Sequence, residues 1–331
     1  MAGAETASHS LLSYLNFAIL PYGSMSNTSK PSAERNLNVP SNLVSELNKN
    51  QYVIVDNFIE LQWADRLLSE GNRLGTKGHL KQHLFQFGNT LYEKPNIFEL
   101  DLHDQQKREQ SSELSYIFEK TGPAFIRAIN EQDTESRLCL DQSPSAIKLQ
   151  HNRGGCFPLH YDNPGQGKRA ITCIVYLNPH WIEGDGGELV LWPFLAEPIL
   201  VPPLHRRAVI FKSDMLLHRV MQTKKERFCF TIWCDGATVN GKDDVFLSRD
   251  HLKFSSFDEA ELFFANSPLQ RVISRAVYDE EYLASLIECL GGTDGARIMI
   301  YQHRASVQSL VGKLRPLIEE FQRRKASCLR K

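Results

Sequence analysis

Three side chains in the middle of the sequence have the types and the spacing of a metal site. His160 and Asp162 are separated by one residue in the turn-flanked segment Pro158–Pro164. Residues i and i+2 of an extended chain point to the same side, so this imidazole and this carboxylate can reach one point in space. His218 ends an apolar run further along the chain. Two imidazoles and one carboxylate form the facial triad of non-haem Fe(II) oxygenases, so we predict an iron site made by His160, Asp162 and His218.

An arginine downstream of His218 indicates a second part of the same site. Arg227 opens the apolar, β-rich segment Phe228–Trp233. An arginine in such a strand needs an anionic partner, because an unpaired buried charge is costly. A guanidinium fits a carboxylate in bidentate fashion. An organic acid that chelates the metal and places its far carboxylate on Arg227 meets both requirements, and 2-oxoglutarate is such an acid.

The residues around these four positions resemble the Fe(II)/2-oxoglutarate dioxygenases. Among these enzymes, the segments resemble the prolyl 4-hydroxylase-like family, and they are most similar to the hypoxia-inducible-factor type of prolyl hydroxylase. The matching segments are His160–Pro164, Arg169–Asn178, Gly186–Leu189, Phe211–Asp214 and His218–Trp233. The match covers about residues 144–236, and residues 52–74 also resemble that family's entry strand and helix.

The resemblance implies a role for each matching residue. His160, Asp162 and His218 would hold Fe(II), and no catalytic residue is expected beyond this metal site. The other expected contacts are 2-oxoglutarate at Arg227, Tyr176 and Thr231, and the substrate at Arg169 and Trp233. O2 would be the second co-substrate, and support by L-ascorbate is expected from the family. Gln150 departs from the family, which often has a tyrosine at this position near the co-substrate. Glutamine can still donate a hydrogen bond to 2-oxoglutarate, but the identity of the substrate is less well determined by the resemblance.

The expected function is an oxidoreductase of class EC 1.14.11.-, resembling the procollagen-proline and peptidyl-proline 4-dioxygenases. Such an enzyme hydroxylates a substrate C–H bond, here prolyl residues of a peptide or protein, while 2-oxoglutarate becomes succinate and CO2. Two alternatives stay open. The same chemistry could act on a free amino acid, another side chain or a small metabolite. A non-catalytic, metal-binding β-barrel module that recruits partners is the second alternative.

The elements that must position these residues change in character along the chain. Residues 1–40 are rich in Ser, Asn, Gly and Pro, and predict a disordered lead-in. Residues 41–143 combine a β-branched run with helical periodicity, as the N-terminal part of the catalytic domain. Short β-rich runs alternate with turns in residues 144–237, which is typical of a sandwich or barrel, and residues 238–331 return to helix. With the resemblance, this predicts an α+β fold: a double-stranded β-helix (jelly-roll) core, flanking N-terminal helices and a C-terminal helical extension.

Composition excludes several classes of protein. The chain has 331 residues and a formal net charge of −1, so it lacks the broad basic surface that nucleic-acid binding requires. No apolar run approaches the roughly 20 residues needed to span a bilayer, so no membrane partner is expected. Seven cysteines without a C-x-x-C pair predict free, buried thiols in a reducing compartment, the cytoplasm or the nucleus. His79 and His83 are expected on the surface. The C-terminal helices are expected to pack on the β core or on a sister subunit, so the oligomeric state is open.

Overall fold

The computed structural model describes residues 35–87, 90–165, 167–236, 247 and 252–328. Strands form where short β-branched runs are bounded by turn residues. The strands are β1 (Tyr52–Val55), β2 (Lys81–Phe87), β3 (Thr90–Asp101), β4 (Ala146–Asn152), β5 (Phe157–His160), β6 (Arg169–Tyr176), β7 (Leu189–Trp192), β8 (Ile199–Val201), β9 (Ala208–Lys212), β10 (Leu217–Val220) and β11 (Arg227–Asp235). The helices are α1 (Leu43–Asn50), α2 (Leu61–Thr76), α3 (Gln105–Arg108), α4 (Ser112–Tyr116), α5 (Gly122–Gln132), α6 (Phe257–Ala265), α7 (Gln270–Val277), α8 (Asp279–Leu290) and α9 (Asp294–Cys328), with a π-helical turn at Ile117–Thr121.

In the described part of the chain the strands form two antiparallel sheets. The larger sheet has seven strands in the order β1-β9-β6-β11-β4-β3-β2, and the smaller has four in the order β5-β10-β7-β8. Apolar side chains from both sheets, among them Ile174, Leu191 and Phe211, pack together in one interior cluster. The α+β fold with a jelly-roll core is confirmed by this arrangement. The first 34 residues of the predicted lead-in lie outside the described part, whereas Leu37 pairs with Ile59 of the domain.

Alternation along β11 gives the large sheet its two different faces. Phe228, Phe230 and Ile232 point outward into a core cluster that includes Trp63 of α2 and Phe125 of α5. The intervening residues of β11 therefore point into the interior between the sheets, because successive strand residues face opposite sides. The N-terminal helices thus cover the outside of the large sheet and leave its inside for the site.

The C-terminal helices cover the outer face of the small sheet. Leu159 and Leu217 of that sheet pack in one cluster with Phe264, Ile273 and Phe321 of the extension. The backbone N–H of Leu159 also donates to Ser285 Oγ at 2.9 Å, which attaches α8 to β5. Of the two expectations for these helices, packing on the β core of the same chain is what the structure shows.

The β2–β3 hairpin, which no sequence pattern predicted, extends the large sheet toward β5. His83 of β2 contacts the Phe157 ring of β5, with 5.6 Å between ring centroids. Its Nδ1 lies 2.7 Å from Glu99 Oε2, and its side chain is only 13% exposed. The prediction of a surface position for His83 is therefore wrong, because the hairpin folds this side of β2 against its partner strand and β5.

Two of the seven cysteines are not free. The sulfurs of Cys156 and Cys289 are 2.08 Å apart and form a disulfide between the residue preceding β5 and helix α8. The prediction of free thiols is wrong for this pair, because 133 residues separate the two positions and only the docking of α8 on β5 brings them together. Cys173, Cys229 and Cys234 are buried and free, whereas Cys139 and Cys328 are free but half-buried. No helix among the described residues is both long and apolar enough to cross a bilayer.

Candidate metal centre

The structure brings His160, Asp162 and His218 to one point. One ligand atom from each side chain lies within 4.8 Å of the others. His160 and His218 face each other as paired residues of β5 and β10, and Asp162 follows two positions after His160. Asp162 Oδ1 is 3.4 Å from His160 Nε2 and 3.7 Å from His218 Nε2. This geometry suits a divalent cation bound by two imidazoles and one carboxylate oxygen.

Backbone carbonyls orient both imidazoles. His160 Nδ1 lies 2.7 Å from the carbonyl oxygen of Pro158, and His218 Nδ1 lies 3.0 Å from that of Leu216. A carbonyl only accepts, so Nδ1 carries the proton in each ring and the Nε2 lone pair is directed at the shared point. Burial lowers the pKa of His218 to about 4, with a smaller contribution from His160, so this ring is a neutral ligand at physiological pH.

The two oxygens of Asp162 have different partners. Oδ2 accepts hydrogen bonds from Thr172 Oγ1 at 2.7 Å and from Trp233 Nε1 at 2.8 Å, so Oδ1 is left to face the histidines. Burial opposes ionisation of Asp162, but the neighbouring His160, His218 and Arg169 side chains outweigh it and hold the pKa of the carboxyl well below its usual range. The side chain is therefore an anionic ligand with a fixed orientation.

A buried cation and a buried hydroxyl beside the metal site each have an unsatisfied polar atom. Arg227 is 3% exposed, its Cζ lies 4.9 Å from the centre of the Tyr176 ring, and its Nη1 contacts only Cys229 Sγ, at 3.5 Å. Arg227 Nε and the Tyr176 hydroxyl have no hydrogen-bond partner, and no carboxylate of the described residues pairs with this guanidinium. Burial raises the pKa of Tyr176 to about 12, so its hydroxyl is a neutral donor. Both groups fit the far carboxylate of 2-oxoglutarate.

The remaining wall of this pocket comes from the interior face of the large sheet. Gln150, Cys229 and Tyr176 lie side by side on β4, β11 and β6, and Thr231 follows Cys229 on the same face. Gln150, Thr231 and the three metal-site residues line one narrow cavity. The geometry thus places Thr231 near the position expected for the co-substrate, and Gln150 takes part in the wall at a weak contact of 3.6 Å with Cys229 Sγ.

The two residues expected to meet the substrate lie together at the rim of the cavity. The Arg169 guanidinium stands over the Trp233 ring, with its Cζ 4.9 Å from the centroid, and its Nε is buried without a partner. Trp233 lines the cavity but donates its indole N–H to Asp162, so it also positions a metal ligand. Thr172 also orients Asp162 through a hydrogen bond, and the sequence did not predict this role. Its spacing of four from Tyr176 on β6, which puts both on one face, was the available signal.

Comparison with known proteins agrees with this geometry. Residues 147–235 match the family model of the 2OG-Fe(II) oxygenase superfamily. The human prolyl hydroxylase EGLN3 is 32% identical over 99 residues, which are 28% of this chain and 40% of the relative. The human Egl nine homolog 1 is 23% identical over 198 residues, which are 58% of this chain and 45% of the relative. The chain therefore matches less than half the length of these curated relatives.

Two solved structures extend the comparison. A crystal structure of prolyl 4-hydroxylases from Phytophthora capsici superposes with a TM-score of 0.74 and 36% identity, covering 91% of this chain and 98% of the other. A Trichoplax adhaerens prolyl hydroxylase, in complex with a peptide of the hypoxia-inducible-factor oxygen degradation domain, has a TM-score of 0.50 and 20% identity over 59% of this chain and 89% of the other, which shows the shared fold. On the match along nearly the whole Phytophthora protein and the family model over the site, the chain belongs to the prolyl 4-hydroxylase-like branch of the 2OG-Fe(II) oxygenase superfamily.

Proposed function

We propose that the protein is an Fe(II)- and 2-oxoglutarate-dependent hydroxylase of prolyl residues in a peptide or protein. One observation carries the proposal: the triad of His160, Asp162 and His218 lies in one cavity with Arg227, whose guanidinium stands over the Tyr176 ring and has no carboxylate partner among the described residues. The similarity over nearly the whole length of the Phytophthora capsici prolyl 4-hydroxylase structure supports the prolyl substrate.

Fe(II), when bound, supplies the chemistry that couples O2 and the oxidative decarboxylation of 2-oxoglutarate to hydroxylation of a C–H bond, with succinate and CO2 as the other products. The side chains of this protein fix where that chemistry takes place. The triad would hold the metal, and Arg227 with Tyr176 would orient the co-substrate by its far carboxylate. Apolar walls that include Ile174 and Leu189 keep water from the cavity.

The site disfavours the two alternatives to different degrees. A non-catalytic metal-binding module has no use for a buried, unpaired arginine, which costs stability unless an anion binds there. Hydroxylation of a free amino acid, another side chain or a metabolite uses the same cavity. Arg169 and Trp233 are half-buried and in contact where Trp233 lines the cavity, and a substrate that extends past the cavity to meet Arg169 would be a peptide.

The compartment and the reductant belong to the proposal as well. We infer that the protein acts in the cytoplasm or nucleus, where Fe(II) is maintained, and that L-ascorbate supports turnover. Three buried free thiols, Cys173, Cys229 and Cys234, support a reducing compartment, whereas a disulfide such as Cys156–Cys289 is typical of an oxidising one. Alkylation of thiols in cells lysed directly in denaturant, before and after reduction, decides between the two. Labelling of Cys156 and Cys289 before reduction is expected in the cytoplasm or nucleus, and labelling of both only after reduction would place the protein in an oxidising compartment.

The substrate class is tested with purified protein, Fe(II), 2-oxoglutarate, labelled O2 and a library of proline-containing peptides. Mass spectrometry should find one labelled oxygen atom added to proline in a subset of peptides. The matched control is His160→Ala, which removes one iron ligand and should abolish the modification. Succinate release without any modified proline would show that the substrate is of another class.

A further inference from the structure

A buried lysine beside the metal cavity has no anionic partner. Lys94 of β3 is 9% exposed. Its Nζ lies 3.9 Å from the centre of the Phe157 ring and 5.6 Å from that of Phe85. Within the described part of the chain no carboxylate forms an ion pair with this ammonium. Contacts with two aromatic rings offset only part of the cost of removing an ammonium from water.

Glu99, the glutamate whose charge acts on Lys94, already has other partners. Glu99 Oε2 lies 2.7 Å from His83 Nδ1, and Glu99 Oε1 accepts from Lys148 Nζ at 2.7 Å. Burial lowers the pKa of Lys94 to about 7, although the charges of Asp162 and Glu99 partly oppose this effect. The surroundings of Lys94 therefore disfavour its charged form, and an additional anion bound beside it would stabilise the charge.

The position of Lys94 relates this cation to the reaction site. Phe157, whose ring Lys94 contacts, lines the metal cavity and stacks with the His160 ring at 6.4 Å between centroids. The charge of Lys94 also acts on Asp162 and His218, the other two residues of the triad. Lys94 is therefore close to the metal but separated from its ligands by an aromatic ring, on the side formed by the hairpin.

Resting on the proposed function, we propose that Lys94 binds a carboxylate of the substrate, so that the preferred substrate is an acidic peptide. The far carboxylate of 2-oxoglutarate has its own cation in Arg227, which lies on β11 beside Tyr176 of β6. A second buried cation, on the hairpin, is left for a different anion. The carboxylate could be an Asp or Glu side chain near the hydroxylated residue or the carboxyl terminus of the substrate, and both present the same chemistry to the ammonium.

The test measures peptide binding separately from turnover. Full-length protein is loaded with Zn(II) and N-oxalylglycine, an unreactive analogue of 2-oxoglutarate. Affinity is then measured for a proline-centred peptide flanked by glutamates and for its glutamine counterpart, each with a free and an amidated carboxyl terminus. The variants are Lys94→Gln and Lys94→Met, and the control is Lys81→Gln, which removes an exposed lysine of the same hairpin.

The proposal predicts that the wild type binds one of the carboxylate-bearing peptides about tenfold or more tightly than the neutral, amidated peptide, the effect of one charge-assisted hydrogen bond. The flanking and terminal arms show which carboxylate is used. Lys94→Gln and Lys94→Met should lose this preference, whereas Lys81→Gln should keep it. Because removal of an unpaired buried charge does not weaken a fold, Lys94→Met should melt no lower than the wild type.

Equal affinity for acidic and neutral peptides overturns the proposal, as does a preference that survives in Lys94→Met or an absence of binding to all four peptides. A merely structural role for Lys94 would appear as a lower melting temperature with the preference unchanged. Release of succinate by the wild type with Fe(II) and 2-oxoglutarate is recorded in parallel. Its absence counts against the proposed function, and the peptide series still decides the role of Lys94.

Discussion

Asp162 shows how neighbouring side chains orient one residue of the metal site. One of its oxygens faces the two histidines, and the other is held by Thr172 and Trp233 at normal hydrogen-bond distances. Groups that orient a ligand in this way fix its direction, and their mutation typically costs about 10- to 100-fold in metal affinity or activity. The sequence predicted the three ligands, since their types and spacing are informative. It did not predict Thr172, because a threonine in a β-strand is ordinary until the fold places it beside a carboxylate.

We expect Thr172→Val to weaken metal binding by about 10- to 100-fold, since it removes one donor to Asp162 without changing the volume of the side chain. Anaerobic titration with Co(II), followed by its visible absorption, measures the affinity. Thr172→Ser retains the hydroxyl and should restore binding close to that of the wild type. Equal affinity in the valine variant would mean that Trp233 alone is enough to orient the carboxylate.

Tyr176 has a buried hydroxyl that hydrogen bonds to nothing within the described protein. Tyr176→Phe should therefore reduce affinity for 2-oxoglutarate about tenfold while leaving thermal stability unchanged or higher, because the protein loses an unsatisfied polar group. Calorimetric titration with 2-oxoglutarate and thermal melting are the two measurements. A lower melting temperature with unchanged co-substrate affinity would assign the hydroxyl to the fold and not to the pocket.

At the scale of elements, sequence patterns predicted five strands of the large sheet but only β7 of the small sheet, whose β5 and β10 carry the two histidines. The β-branched run at residues 52–55 and the β-rich runs at residues 146–150, 170–176, 188–191, 208–211 and 228–233 each predict a strand. They coincide with β1, β4, β6, β7, β9 and β11 to within two residues. Their β-branched and aromatic residues are bounded by turns. The β2–β3 hairpin was not predicted, because Lys81–Phe87 is largely polar and Thr90–Asp101 contains Pro95, which disfavours a strand in its interior. Its position depends on pairing with β4, distant in sequence.

The attachment of α8 to β5 can be tested at its covalent link. Cys156→Ser should lower the free energy of unfolding by about 2–5 kcal/mol, because the disulfide closes a long loop and joins the strand that ends at His160 to the C-terminal helices. Denaturant unfolding without reductant measures the change. Cys139→Ser, which alters a free and half-buried thiol, should leave stability unchanged. The same stability for Cys156→Ser would show that noncovalent packing of α8 is sufficient.

At the scale of the whole molecule, each sheet has one face covered by helices and one face directed at the shared interior. The sequence predicted a C-terminal helical extension after the β-rich core, but it could not show that these helices pack on the small sheet. An apolar helical face fits any complementary apolar surface, on the same chain or on a second copy. Only the observed contacts, such as that between Leu159 N–H and Ser285 Oγ, select packing within the chain.

Phe321 of α9 lies in this interface, fully buried and packed against Phe194 with 5.5 Å between the ring centroids. We expect Phe321→Ala to destabilise the protein by about 3–5 kcal/mol, because it leaves a cavity in a packed cluster. Thermal or chemical unfolding monitored by fluorescence measures the loss. Phe257→Ala, at a side chain that is 44% exposed, is the matched control and should cost far less. Similar losses in both variants would mean that the extension contributes little to the core.

The central claim is that this cavity couples Fe(II) to 2-oxoglutarate, and the most direct test is succinate formation by the purified full-length chain. The wild type should convert 2-oxoglutarate to succinate only when both Fe(II) and O2 are present, and His160→Ala should remain at background. Arg227 is the only arginine among the described residues that line the cavity. The variant Arg227→Gln should therefore need a much higher concentration of 2-oxoglutarate for turnover. No succinate above background from iron-loaded wild type, with peptide mixtures supplied, would contradict the account.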